Sequence, residues 1–258
     1  MLRIYLDFDG VIAHSAIECI SSAFNVWSAM HSDLLDKKIL TDLDCKNSII
    51  EISVANRSLV IPPEHYFCLI QSVYEQIKSL SPNTSQASIE QNFNKNCKSA
   101  SHILLDQFKR NFFEYREQKF HTQSDAGWVQ ENPATFFTKE LFKMIKSFDV
   151  EIFIVSRKNY MSLDKWVSGS GYKVDGIFGN EELAKFENSK FKLISNLQTE
   201  KSPRKSIFVD DTAFEFNSSG WSDINVVTLE AGWGYNNLSD NTNEILKKIN
   251  GNLNDLYN

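Results

Sequence analysis

Two apolar runs of this 258-residue sequence end in closely spaced acids: Ile4-Tyr5-Leu6-Asp7-Phe8-Asp9-Gly10 and Ile207-Phe208-Val209-Asp210-Asp211-Thr212. A third run, Ile152-Phe153-Ile154-Val155, stops at Ser156. Lys190 opens a segment in which Leu193, Ile194 and Leu197 share one helical face. Carboxylates brought together in this way repel unless a cation joins them. Oxygen-only donors suit Mg²⁺, which keeps some of its waters and bridges to phosphate. Each acid pair alone is weak. Asp-x-Asp-Gly occurs in many surface turns, and Asp-Asp after a strand is often a turn or a helix cap. The first pair also lacks the further acids of a calcium loop. Both pairs following apolar strands in one chain, with Ser156 and Lys190 between them, form a far more specific pattern.

The elements needed to gather these residues can be read from the same sequence. Arg3–Asp9, Val150–Ser156, Ser206–Asp211 and Ile224–Glu230 read as strands. Lys139–Phe148, Asn159–Ser168 and Ser189–Leu197 read as helices between them. Apolar strands alternating with helices imply a parallel sheet covered on both faces, with ligands bound beyond the carboxyl ends of its strands. Residues 11 to 126 contain no glycine, which favours helices with polar connectors. Ile17, Ile20, Phe24, Trp27 and Met30 recur at helical spacing. A helix starting at Pro62-Pro63-Glu64 carries Phe67, Ile70, Tyr74, Ile77 and Leu80 on one side and ends at Pro82-Asn83. From Gln86 to Phe120 the pattern fits one long helix or two abutting ones, and the segment 38–61 has no clear assignment apart from a turn at Asn56-Arg57-Ser58. The expected organisation is an α/β core, residues 1–13 and 133–258, with an all-helical domain, 14–132, inserted after the first strand. The linkers are expected near Ala13 and near Gly127–Pro133.

Composition narrows the classes further. A net charge of −6 argues against a protein whose main task is holding nucleic acid. A mean hydropathy of −0.32 and the absence of an apolar run of about 18 residues argue against a membrane span. Nothing at the start reads as a secretory leader. Cys19, Cys45, Cys68 and Cys97 form no Cys-x-x-Cys pair and no zinc-ligand spacing, so a reducing cytoplasm is the plain expectation. Oligomeric state is not legible.

Asp7-Phe8-Asp9-Gly10-Val11-Ile12 resembles motif I of the haloacid dehalogenase superfamily. Ser156 resembles its motif II, Lys190 its motif III and Asp210-Asp211 its motif IV. Insertion of the helical domain directly after motif I is similar to the C1 cap arrangement. Ala231-Gly232-Trp233-Gly234-Tyr235 resembles the tail of phosphoglycolate-phosphatase-like members. The resemblance covers roughly 140 residues of the core. It implies a Rossmann-like core with a parallel sheet flanked by helices, a helical cap, and a Mg²⁺-dependent phosphomonoester hydrolase acting on a small phosphorylated metabolite. On that resemblance Asp7 is the nucleophile and forms an aspartyl-phosphate. Asp9 protonates the leaving oxygen, then activates water, and ligates Mg²⁺ through its backbone carbonyl. Asp7 and Asp211 supply carboxylate ligands, with Asp210 ligating directly or through water. Ser156 holds phosphoryl oxygens and Lys190 offsets charge.

Alternatives stand beside these assignments. Ser156 could cap the following helix. Lys192 and, less strongly, Lys185 compete with Lys190 for the motif position. Arg157 and Lys158 could bind substrate or form a solvated loop pair. Arg57 and Arg116 in the helical block could contact an anion, although solvated side chains are the commoner state. His14 could serve the site or merely precede a helix. A metal-free dehalogenase would not need Asp9. A phosphomutase of the same fold and a non-catalytic phosphate-binding protein remain the competing functions.

Overall fold

A computed structural model describes residues 2–31, 43–60, 62–79, 85–200, 204–217, 220–235 and 240–257. The chain divides into two compact units, 1–15 with 124–258, and 16–123.

The first unit is built on a five-stranded parallel sheet. In chain order its strands are β1 (Leu2–Leu6), β2 (Val150–Val155), β3 (Gly176–Phe178), β4 (Ser206–Asp210) and β5 (Val226–Glu230). Across the sheet they run β3-β2-β1-β4-β5. Leu6 lies opposite Ile154 on one side and Val209 on the other, so β1, β2 and β4 end at the same level. Every residue of β1 is buried. Alternation then sorts the side chains: Leu2, Ile4 and Leu6 join Ile207 and Val209 on one face, while Tyr5 joins Phe153 and Phe208 on the other. Arg3 is the exception in an apolar strand. Its guanidinium is neutralised by Glu151 at 2.6 Å and donates to the Leu197 carbonyl.

Helices cover both faces. Helix α10 (Lys190–Glu200) packs Leu193 and Ile194 on the Tyr5 side, which brings its first residue, Lys190, towards the sheet. The other face is covered by α6 (Asp125–Glu131), α7 (Phe136–Met144), α8 (Tyr160–Ser170) and α11 (Thr242–Tyr257), through Trp128, Phe137, Leu141, Trp166 and Ile249. A short α9 (Asn180–Ala184) follows β3.

The division falls earlier than the sequence patterning places it. Gly127–Pro133, expected as a linker, is largely helix α6, and α6 belongs to the sheet unit. Trp128 is buried there, and its indole donates to the Ser162 carbonyl; Trp166 donates in return to the Asn132 carbonyl. Gly169 of α8 permits the approach, because a Cβ there would sit 2.6 Å from the Asp125 carbonyl oxygen.

The second unit contains helices α1 (Ala16–Met30), α2 (Leu43–Ala55), α3 (His65–Lys78), α4 (Gln86–Ser99) and α5 (His102–Thr122). Phe24, Trp27, Phe67, Ile70, Tyr74, Phe93, Phe108 and Phe112 share its core. The uninterrupted stretch from Gln86 resolves into two helices because Ala100 is extended and the Ser101 hydroxyl accepts from the Leu104 N–H. Ile17, expected on the apolar face of α1, is 59% exposed; Ala16, Cys19, Ala23 and Val26 complete the buried stripe instead. The 38–61 segment holds α2 and a 3₁₀ turn at Arg57–Leu59. Leu80, Pro82 and Asn83 lie outside the described residues. No helix among the described residues is long and apolar enough to cross a membrane.

Candidate active site

At the carboxyl ends of β1 and β4 the backbone holds the acids in fixed places. The Asp7 N–H still donates to the Val209 carbonyl, continuing the ladder one residue past β1. The next residues form a tight loop in which Ile12 and Ala13 donate to the Phe8 carbonyl and Gly10 donates to Ala13. Thr135 and Thr138 anchor that loop, with their hydroxyls on the Val11 and Ile12 carbonyls at 2.7 and 2.9 Å. Gly10 adopts φ +86°, and a Cβ there would lie 2.5 Å from Asp211 Oδ2, so only glycine fits beside this carboxylate.

Asp7, Asp210 and Asp211 are all buried, with one carboxylate oxygen of each within 4.8 Å of the others. Lys190 Nζ sits among them, 2.6 Å from Asp7 Oδ1 and 2.7 Å from Asp210 Oδ2. Asp210 Oδ1 accepts from the Thr212 N–H, and Asp211 Oδ2 accepts from the Tyr235 N–H at 2.7 Å. Burial drives the Asp7 carboxyl up to about 7; Lys190 opposes the rise, and Asp210 and Asp9 add to it. Burial likewise raises Asp210. Burial alone would depress Lys190, but the carboxylates of Asp210 and Asp7 hold it above its usual value. Three buried carboxylates thus lie together, with one buried ammonium paired to two of them. A hard divalent cation with oxygen ligands fits this donor set: it would supply the missing positive charge and needs no nitrogen or sulfur donor.

Ser156 is buried at the end of β2; its N–H donates to the Phe178 carbonyl and its hydroxyl accepts weakly from the Lys158 N–H. The competing lysines are occupied elsewhere, Lys192 with Glu187 and Lys185 with Glu182. Arg157 is half exposed, forms an ion pair with Glu215 and reaches the Asn188 carbonyl. Asp9 stands apart from the cluster, 27% exposed, with its carboxylate held by Lys158 and Ser15. Of the helical-unit arginines, Arg57 donates to the Val60 carbonyl and lies over the Tyr66 ring, and Arg116 is paired with Glu18. His14 has its pKa lowered by burial and by Lys139.

Three neighbours take places that the sequence does not specify. Lys158, open between substrate binding and a solvated loop pair, is buried against Asp9. Ser15 carries no sequence signal. Tyr235 lies in the Ala-Gly-Trp-Gly-Tyr tail, a motif with no residue-level role until the structure puts its N–H on Asp211 and its hydroxyl 2.6 Å from Ser15 Oγ.

No family model matches the sequence, and neither does any curated protein. Solved structures do match. A haloacid dehalogenase-like hydrolase of Streptococcus pneumoniae superposes with a TM-score of 0.58 at 16% identity, covering 96% of this chain and 97% of that one. A haloacid dehalogenase-like hydrolase of Bacteroides fragilis gives 0.53 at 13% identity, over 90% and 88%. A Clostridium difficile protein described as a phosphatase gives 0.51 at 15% identity, over 90% and 86%. The chain therefore has the haloacid dehalogenase-like fold: a parallel sheet flanked by helices.

Proposed function

We propose that the protein is a divalent-cation-dependent phosphomonoester hydrolase acting on a small phosphorylated metabolite through an aspartyl-phosphate, with Mg²⁺ as the cation. The carrying observation is the buried cluster in which Lys190 bridges Asp7 and Asp210 beside Asp211, with the partly exposed carboxylate of Asp9 two residues from Asp7. A dehalogenase would have no use for a second acid at that position.

Asp7 attacks phosphorus, and the bond to the leaving oxygen breaks as Asp9 gives that oxygen its proton. Asp9, now a carboxylate, takes a proton from the water that attacks the acyl-phosphate, which releases phosphate and regenerates Asp7. Lys190 offsets the negative charge shared by Asp7 and the phosphoryl group, and Ser156 holds a phosphoryl oxygen. Asp7, Asp210 and Asp211, with the Asp9 backbone carbonyl, are the residues that would hold Mg²⁺, which when bound neutralises phosphoryl charge. Residues 16–123 interrupt the sheet unit just after Ser15, and we read this insertion as a cap that selects the substrate. Four thiols, Cys19, Cys45, Cys68 and Cys97, fit a reducing cytoplasm.

A screen of phosphorylated metabolites with purified protein tests this reading; release of inorganic phosphate from none of them overturns it. Chelation provides a second test. Excess EDTA is expected to lower turnover by about 100-fold or more, Mg²⁺ to restore it, and Ca²⁺ to inhibit, since Ca²⁺ prefers more ligands at longer distances. Full activity in EDTA would contradict the metal requirement.

A further inference from the structure

Lys158 is an unusual lysine for a loop. It follows Ser156 by two residues, is only 5% exposed, and places its ammonium 3.1 Å from Asp9 Oδ1. The ammonium lies over two aromatic rings, 5.3 Å from the centre of Phe8 and 5.8 Å from that of Trp128. Both rings are themselves fully buried; Phe8 packs edge-on against Trp166, and Trp128 is pinned by its indole N–H on Ser162. The backbone is fixed as well, because the Lys158 carbonyl accepts from the Asn180 N–H at 3.0 Å and its N–H reaches Ser156 Oγ. A desolvated ammonium costs free energy unless it is paired. Here the carboxylate of Asp9, with the faces of two aromatic rings, offsets that cost.

The second support of Asp9 comes from another direction. Ser15 Oγ donates to the same Oδ1, and its oxygen lies 2.6 Å from the Tyr235 hydroxyl. Tyr235 in turn gives its N–H to Asp211. Asp9 thus belongs to a fixed frame, whereas its carboxylate is more exposed than the buried acids of the cluster.

We propose that Lys158 is the positioning residue of Asp9: it fixes the carboxyl group for proton delivery to the leaving oxygen and stabilises the charge left on it when the proton departs. The proposal rests on the phosphatase reading. In this assignment Lys158 acts through Asp9, the carboxylate its ammonium meets at 3.1 Å, and not on the nucleophile. Its contribution therefore scales with how much the leaving group needs a proton, which a purely structural residue would not produce.

The test compares kcat/KM for phenyl phosphate, a poor leaving group, with that for p-nitrophenyl phosphate, a good one of similar shape. This parameter reports the steps through the first irreversible one and so isolates leaving-group departure from hydrolysis of the acyl-phosphate. In Lys158→Met, kcat/KM is expected to fall about 100-fold or more on phenyl phosphate and less than about fivefold on p-nitrophenyl phosphate. Lys158→Gln, measured beside it, shows the same ratio and keeps the comparison available should the methionine variant fold poorly. In an Asp9→Asn background, Lys158→Met adds no further loss on phenyl phosphate. An equal fall on both esters, no fall on either, or an undiminished effect in the Asp9→Asn background overturns the assignment while leaving the phosphatase reading intact. A wild-type protein inactive on both esters and on the metabolite screen overturns the phosphatase reading, and this proposal with it.

Discussion

Asp7→Asn is expected to lower phosphatase turnover by at least about 10⁴-fold while leaving the protein folded. The amide is nearly isosteric with the carboxylate but cannot attack phosphorus, and no other carboxylate can replace it: Asp210 and Asp211 are anchored by the N–H groups of Thr212 and Tyr235, and Asp9 by Lys158. The fold should survive because Lys190 keeps its 2.7 Å contact with Asp210 and the cluster loses one of three mutually repelling charges. The pH dependence of stability provides an independent readout. Burial raises the Asp7 carboxyl from 3.8 to about 7, so between those values the folded chain holds a proton that the unfolded chain has released. Its contribution is thus complete below about pH 4 and is lost as pH rises through about 7, the reverse of an ordinary ion-paired acid. Urea midpoints of the metal-free protein at about pH 5 and pH 8 measure this; wild type loses stability over that interval and Asp7→Asn loses less. Residual turnover in a clean Asp7→Asn preparation would contradict the covalent route. An unchanged pH dependence of the midpoint would contradict the perturbed carboxyl.

How much of this was legible depended on whether the signal was local. β1, β2, β4 and β5 were readable because they are apolar runs bounded by turn residues, and the acids closing β1 and β4 stand in the sequence where the sheet needs them. Lys190 could be preferred to Lys192 from the inward-facing Leu193 and Ile194 alone, since the helix face that buries them also carries the residue three positions earlier. β3 is not legible in the sequence: at three residues, Gly176–Phe178 is too short to show alternation and is an edge strand defined by its pairing with β2. α6 was lost because Gly127 and Pro133 look like punctuation, yet Ser124 caps it through the Gly127 N–H and its Trp128 is claimed by the sheet core. The placement of Lys158 is unreadable for a different reason. Nothing adjacent to it in sequence reveals that Phe8, Trp128 and Asp9, from two distant segments, surround its ammonium. Local pattern reports elements; it cannot report which distant groups desolvate a charge.

Arg116 provides the largest expected stability effect. Its guanidinium grips Glu18 through two bonds, Nε to Oε1 at 3.0 Å and Nη2 to Oε2 at 2.7 Å. The Glu18 side chain is 0% exposed and that of Arg116 only 14%. Ser22 adds a hydroxyl bond to the same carboxylate, and the guanidinium lies over the Phe112 ring. Arg116→Ala would leave a fully desolvated carboxylate without its guanidinium, supported by the Ser22 hydroxyl and the Cys19 thiol, at an expected cost of about 3–5 kcal/mol. Glu18→Ala should cost less, because the arginine left behind lies nearer solvent and keeps an aromatic face. Replacing both, Glu18→Leu with Arg116→Met, removes the charges together and should recover most of the loss, since a buried pair gains little over well-packed apolar side chains. Denaturant midpoints of the three variants measure this ordering. The same series separates structure from substrate binding: an arginine serving as a substrate anchor would show a raised KM with an unchanged midpoint, whereas a buried ion pair predicts a lowered midpoint rescued by the double replacement. Equal midpoints for Arg116→Ala and wild type would show that the pair contributes nothing to holding α1 and α5 together.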